Sequence, residues 1–387
     1  MSLKKQIKKV FDDGLANTPA VRLSVEEANY FIDAVVDESA LFKRCKVVRI
    51  AIGKASKKVN KIKLDDDVFH PAESGTALPS QKYATAKNDG YVVLRPLEII
   101  ATVKINDDEL EENVEGLAFE DHFMAMVAKQ GANQLERVAL YSRKKSTIET
   151  TYDMFDGFIT LAKASGNVID FSVVYSDRYI DRNKMSAMYK AIPTKFRKAL
   201  TDYFMHDDLK VDYEDLYIQS QNRVPTDQAN GKPFSATPWL NTEAPVATGT
   251  VKTIASNATA GTDTITMTGG HGIVNGNVIV IAYGKAKEFS TVVTNVATNV
   301  LTLQDELPYD YASGNADENK VYLATLDGSD VLLAGVDNLL VGISRDMTME
   351  FERVARERAT YAVITMKVDF NVMYAQAIAI GKSLKVR

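Results

Sequence analysis

The residues able to carry chemistry are few, and their spacing does not bring them together. The four histidines, His70, His122, His206 and His271, fall in four separate contexts. None belongs to an HExxH pair or another metal-ligand spacing, and Cys45 is the only cysteine, so no zinc signature is present. A nucleophile elbow, a Walker loop and a dinucleotide-binding fingerprint are also missing. Gly269-Gly270-His271-Gly272 leads into a strand pattern and lacks the Lys-Ser/Thr ending of a phosphate loop, so it reads as a turn. The acidic run Asp107, Asp108, Glu109, Glu111 and Glu112 lacks the alternating ligands and central glycine of a calcium loop. It reads instead as a helix start favoured by the helix dipole. Asp65-Asp66-Asp67 is a loop carboxylate cluster, and Asn257-Ala258-Thr259 matches a glycosylation sequon that no secretion signal supports. Aromatic and basic residues across Tyr179–Lys198 follow no RNA-binding pattern. The expectation is no catalytic residue, no metal and no cofactor: the protein is not an enzyme.

Composition narrows the classes further. The 387 residues are 45% hydrophobic and 25% charged, an ordinary globular balance that predicts two or three units with cores of their own. A net charge of -5 argues against wholesale coating of nucleic acid. A single cysteine excludes an intramolecular disulfide and suits a reducing place of synthesis. No uninterrupted apolar stretch is long enough to span a membrane, and the basic N-terminus precedes no apolar signal core.

What must position everything else is the stretch from Asn106 to Arg143. Asn106 is placed to cap a short acidic helix that Gly116 breaks, and a second helix is predicted from about Leu117. Phe119, Phe123, Met126, Val127, Leu135, Val138 and Leu140 follow near-helical spacing, giving a spine of roughly 40 Å. Gly131, weakening to a helix interior, is expected to mark a bend or a close contact with a strand.

Ahead of the spine, residues 1–24 form an arm with Lys4, Lys5, Lys8 and Lys9, suited to a polyanion or a partner subunit. Ser24 caps a helix, so 25–44 is read as a first helical unit. Residues 45–105 read as a long two-stranded excursion with a polar tip, which makes physical sense packed on a neighbouring subunit. After the spine, 150–243 reads as mixed α/β. Val168–Val174 is a strand candidate, Asp181–Ala191 and Thr194–Phe204 are helices, Leu216–Ser220 is a short strand, and Pro225–Pro245 is a loop. Residues 246–324 turn rich in Thr, Val, Gly and Asn, with strand signals at roughly ten-residue spacing, and read as an inserted β-barrel or sandwich. At the end, Met347–Glu352 and Ala362–Phe370 alternate strictly and predict an antiparallel pair covering the spine.

The order of these elements resembles the major capsid proteins of tailed bacteriophages, the Hong Kong ninety-seven-type fold shared with encapsulins. The likeness is carried by residues 23–50 (LSVEEANYFIDAVVDESALFKRCKVVRI), the hairpin, and 95–116 (RPLEIIATVKINDDELEENVEG). It continues in 135–142 (LERVALYS) and in 337–377, from DNLLVGISRDMTMEFERV to VDFNVMYAQA. The resemblance implies an α+β chain with 1–24 as N-terminal arm, 25–44 as first helix and 45–105 as extended E-loop hairpin. Residues 106–159 would be the peripheral domain with the spine helix, and 160–245 the axial domain. Residues 246–324 would be the inserted small all-β domain, 325–342 the axial return, and 343–387 the closing strands of the peripheral domain.

It further implies hexamers and pentamers in an icosahedral shell around double-stranded DNA, in a virion made in the bacterial host cytoplasm. A portal, a separate scaffolding protein and a decoration protein would be partners; no membrane would be involved. Lys4, Lys5, Lys8 and Lys9 would touch DNA or scaffold, and Lys82 and Lys87 in the hairpin would touch another subunit. Some relatives cross-link through such a lysine, but here nothing identifies the asparagine partner or the carboxylate required. An encapsulin-like compartment holding an enzyme cargo is the alternative.

Overall fold

The computed structural model describes residues 41–63, 87–106, 118–145, 150–174, 177–197, 202–221, 235–239, 244–248, 251–345, 348–354 and 356–386, with a few further positions between 21 and 39 and at 148. One six-stranded sheet has the order β1 (Val21–Arg22), β17 (Thr348–Val354), β18 (Ala359–Val372), β16 (Leu339–Ser344), β2 (Lys46–Ile50). Strand β5 (Leu97–Asn106) pairs with β18 as well, from Leu97↔Val368 to Asn106↔Ala359. Alternation explains β18: Ala362, Ile364, Met366, Val368, Phe370 and Val372 are buried, while the residues between them are less so.

Against that face lies the spine, helix α1 (Ala118–Tyr141), whose 24 residues span roughly 36 Å. Leu135, Val138, Ala139 and Leu140 share one core with Ile364, Met366, Val368 and Phe370. Phe370 is its aromatic centre, with Phe155, Phe158 and Phe42 ring centroids 5.4, 6.1 and 6.4 Å away. Each such ring contributes about 1.5–3 kcal/mol by leaving water.

The second sheet has eleven strands, with the main order β11 (Thr264–Thr266), β14 (Val300–Leu303), β13 (Phe289–Ala297), β12 (Val278–Ile281), β15 (Lys320–Ala334), β19 (Ile378–Leu384), β6 (Val168–Asp170). Along β15 also lie β7 (Asp202–His206), β9 (Ala244–Ala247) and β10 (Lys252–Thr253), and β8 (Ser235–Trp239) runs parallel to β7. Strand β15 serves three cores. Val321 and Leu323 pack in a core made only of residues between Ile254 and Leu323. Farther on, Leu332 and Ala334 face the spine core, and Val331 and Leu333 face a core around α3 (Phe171–Val174) and α4 (Arg182–Ala191). Helix α2 (Phe158–Ala164) packs on the spine side. On the other side, the short α5 (Thr194–Arg197) adds Phe196, and α6 (Asp207–Gln221) adds Leu209 and Tyr213. The hairpin β3 (Lys57–Lys63) and β4 (Lys87–Leu94) forms a two-stranded sheet of its own.

Several sequence expectations are revised. The run Val168–Val174 is strand only to Asp170, because Asp170 Oδ1 accepts from the Ser172 amide and hydroxyl and turns the chain into α3. The helix expected over Thr194–Phe204 is replaced at its end by β7, whose Asp202, Tyr203, Phe204 and Met205 are all buried, as a strand covered on both faces requires. Leu216–Ser220 is not a strand but the last part of α6. The Pro225–Pro245 loop contains β8 and the start of β9, with Pro238 in a strand whose sheet partner among the described residues is β7 alone.

Segment limits move for the same reason: pairing overrides local pattern. The limit at 324 falls inside the continuous strand β15. Strand β16, partly placed in an axial return, belongs to the spine sheet, and β19, placed among the closing strands, belongs to the other sheet. Strand β5 leaves the 45–105 excursion to join β18. The 1–24 arm lies outside the described residues except Val21 and Arg22, and the 25–44 helix is described only in part, with Ile32 and Val35 buried in the spine core.

Candidate assembly surfaces and a buried charge cluster

The hairpin is rooted at one end and has little core beyond it. Val92 and Leu94 of β4 are buried with Val48, Ile50 and Leu340, and Val59 of β3 packs against them. From there the pairing runs outward from Lys57↔Leu94 to Lys63↔Lys87. Lysines decorate it: Lys57 Nζ donates to the Arg49 carbonyl at 2.8 Å, and the Lys58 and Lys61 ammonium groups lie 4.6 and 5.1 Å from the Tyr91 and Tyr374 rings. Of the two loop lysines singled out in the sequence, Lys87 pairs with Lys63 at the outer end of this ladder. Lys82 lies outside the described residues, as do Lys4, Lys5, Lys8 and Lys9 and the acidic run 107–112.

A second feature lies between the spine and the sheet. An apolar cavity of about 480 Å³ is lined by Ile99, Ala101, Val103, Val127, Leu135 and Met366, among others, with Gly131 on its wall. The expected close strand contact at Gly131 is not there, since a Cβ at that position would meet nothing within 4 Å. The helix continues unbroken through it. Ile100 of β5, which also borders this cavity, is 65% exposed.

The histidines do not assemble. His122 lies in α1 and His70 outside the described residues. His206 ends β7 and its Nδ1 accepts from the Asp208 amide at 3.3 Å. His271 is buried in a turn where Gly270 and Gly272 have positive φ. Its Nδ1 accepts from the Ile273 amide, which leaves Nε2 to donate to the Thr298 carbonyl at 2.9 Å. Both ring nitrogens are thus taken up in holding the turn. Among the described residues no three His, Cys, Asp or Glu side chains are grouped as a metal site would need.

Sequence reasoning missed a dense concentration of buried charge. Lys163 of α2, Glu288 just before β13, Asp330 of β15 and Lys382 of β19 meet in the interior, none more than 7% exposed. Lys163 Nζ donates to Glu288 Oε1 at 2.7 Å and stands 3.5 Å from Asp330 Oδ2. Lys382 Nζ donates to Glu288 Oε2, which also accepts from the Gly284 amide. Above Lys382, the Tyr283 ring centroid is 3.7 Å from Nζ, and the Tyr283 hydroxyl bonds the Ser383 hydroxyl.

Burial works against ionising Glu288, but Lys163 and Lys382 outweigh it and hold the carboxyl at about 2. Asp330 goes the other way. Burial pushes its pKa up despite both lysines, and its Oδ1 is buried with no hydrogen-bond partner among the described residues. Burial also lowers the pKa of Lys382. The four residues are scattered from position 163 to position 382, so no local spacing could reveal them.

Comparison with known proteins bears on the whole chain. No family model matches it. Over 363 residues it is 22% identical to YqbE of Bacillus subtilis (strain 168), a prophage capsid protein by description, covering 93% of this chain and 91% of that protein. A chain of the satellite phage P4 procapsid that includes the size determination (Sid) protein superimposes with a TM-score of 0.53 at 9% identity, covering 92% of this chain and 99% of the other. A chain of the holo-SrpI encapsulin complex of Synechococcus elongatus PCC 7942 reaches 0.41 at 8% identity, over 97% and 95% of the two chains. The match over nine-tenths of both chains places this chain in the phage capsid fold, the Hong Kong ninety-seven type.

Proposed function

We infer that this protein is the structural major capsid protein of a tailed phage or prophage, self-assembling into an icosahedral shell around double-stranded DNA. The observation that carries this reading is similarity along nearly the whole chain to a prophage capsid protein, joined to a fold shared with a procapsid chain. The role is structural rather than enzymatic. In the shell, hexamers and pentamers are built from the same chain, so contacts must tolerate small changes of angle. The β3–β4 hairpin suits such contacts. Rooted at Leu94 and extended beyond its core, it lies over an adjacent subunit with Lys82 and Lys87 at the contact. The spine sheet forms the peripheral domain, and the sheet around β15 and β19 the axial one. The unit inserted before β15 stiffens the capsomer.

Lys4, Lys5, Lys8 and Lys9 make non-specific phosphate contacts to packaged DNA, or contacts to a separate scaffolding protein. A portal and a decoration protein complete the partners. Assembly occurs in the host cytoplasm and the finished protein resides in the virion. Electron microscopy of the chain expressed with its scaffold tests this reading. Closed shells with nuclease-protected DNA are expected on packaging; shells holding an enzyme cargo instead would make it an encapsulin-like compartment. A chain that stays monomeric with scaffold present would overturn the shell reading.

A further inference from the structure

We propose that Lys163 and Asp330 condense into an intramolecular isopeptide bond, with Glu288 moving the proton. Three arrangements support it. Lys163 Nζ stands 3.5 Å from Asp330 Oδ2 with both side chains buried, so amine and carboxyl are held side by side at very high effective concentration. Glu288 Oε1 lies 2.7 Å from the same nitrogen, within reach to accept its proton. Asp330 Oδ1 has no partner among the described residues, as expected of the oxygen that leaves rather than of one fixed in an ion pair.

Electrostatics divides the four groups into two pairs. Glu288 takes donors from Lys163, Lys382 and the Gly284 amide, and pairs as a carboxylate with Lys382. Burial favours the protonated form of Asp330. Moving one proton from the Lys163 ammonium to the Asp330 carboxylate leaves two neutral groups, and net charge in the site is unchanged.

The step then balances without any outside reagent. The Lys163 amine adds its electron pair to Asp330 Cγ. Glu288 takes one proton from the nitrogen and delivers it to the departing hydroxyl. The Cγ–O bond breaks, water leaves, and the Nζ–Cγ amide remains. Nothing is oxidised or reduced, and Glu288 ends as it began. The bond would tie α2 to β15, joining the spine core to the strand shared with the inserted unit.

Intact-mass spectrometry of the full-length, folded protein decides it. One water, about 18 Da, should be missing from the mass expected for the sequence. Digestion should yield a branched peptide joining the segments around Lys163 and Asp330. Lys163→Arg, which keeps the positive charge but not the primary amine, should return the full mass. Glu288→Gln should slow the mass loss in freshly made protein, while Lys382→Arg should leave it in place. Wild-type protein that is folded and shows the unmodified mass would overturn the proposal and leave the cluster as an ion network. Because all the atoms belong to one chain, the result does not depend on whether shells assemble.

Discussion

Gly157 lies against the carbonyl of Leu140: a Cβ on Gly157 would stand 2.6 Å from that oxygen. The same glycine donates its amide to Ser142 O at 2.8 Å, so the last turn of the spine and the first of α2 are joined backbone to backbone. Gly157→Ala should lower the midpoint of thermal unfolding by the equivalent of about 1–3 kcal/mol, the usual cost of overpacking a closed site. Gly131→Ala is the control in the same region. Its added methyl meets open space, so it should gain up to about 1 kcal/mol of helix propensity. Equal effects of the two substitutions in calorimetry would contradict this packing.

Glu288 neutralises the buried Lys382 ammonium, and removing it strands that charge. Glu288→Ala should cost about 3–5 kcal/mol, as expected when one member of a buried ion cluster is deleted. The sequence pattern alone predicts that deleting 246–324 with a short bridging linker leaves a domain that folds, but that cut removes Glu288 and severs β15 after Ala324. We expect that product to be insoluble, and a cut that leaves β15 whole with Lys382→Met to recover soluble protein. Solubility and urea melts of the two shortened proteins would decide.

The acid side of the stability profile should carry the mark of this residue. The Glu288 carboxyl sits at about 2 in the fold against an ordinary value of 4.5. A lowered acid pKa gives stability that is present above the ordinary value and is lost as pH falls from there through the folded value. Wild type should therefore lose a few kcal/mol relative to Glu288→Gln between about pH 4.5 and 2. A constant difference between the two across that window, followed by melts at stepped pH, would show that Glu288 is not ionised in the fold.

Cys45 should be chemically silent in the native protein. It is 8% exposed, and burial together with the nearby Glu136 carboxylate pushes its thiol well up, away from the reactive thiolate. Alkylation by iodoacetamide at pH 8 should be slow when folded and complete within minutes in denaturant, read by mass.

How much was legible beforehand depended on how local the cause was. The alternation from Ala362 to Phe370 states its own structure, because one buried face fixes a strand's period, and β18 lies where that pattern does. The spine likewise follows from its apolar spacing near Leu135 and Val138. Leu216–Ser220 misled because a short apolar run fits a strand or a helix turn equally well, and only its continuity with Asp207 settles it as α6. Asp202–Phe204 misled because a two-sided buried strand shows no alternation. The Lys163–Glu288–Asp330–Lys382 cluster was illegible, since each member looks like any surface charge until four distant elements meet.

Strand β15 also has a mechanical meaning. It is one continuous strand from the core around Val321 to the core around Leu333, with its pairing shifting register between Thr325 and Gly328 and between Ser329 and Val331. A load applied to the inserted unit therefore travels down a covalent backbone that runs straight from one core into the next. The insertion and the sheet beneath it should tilt together as a single stiff lever, so that any bending the shell demands is taken up elsewhere.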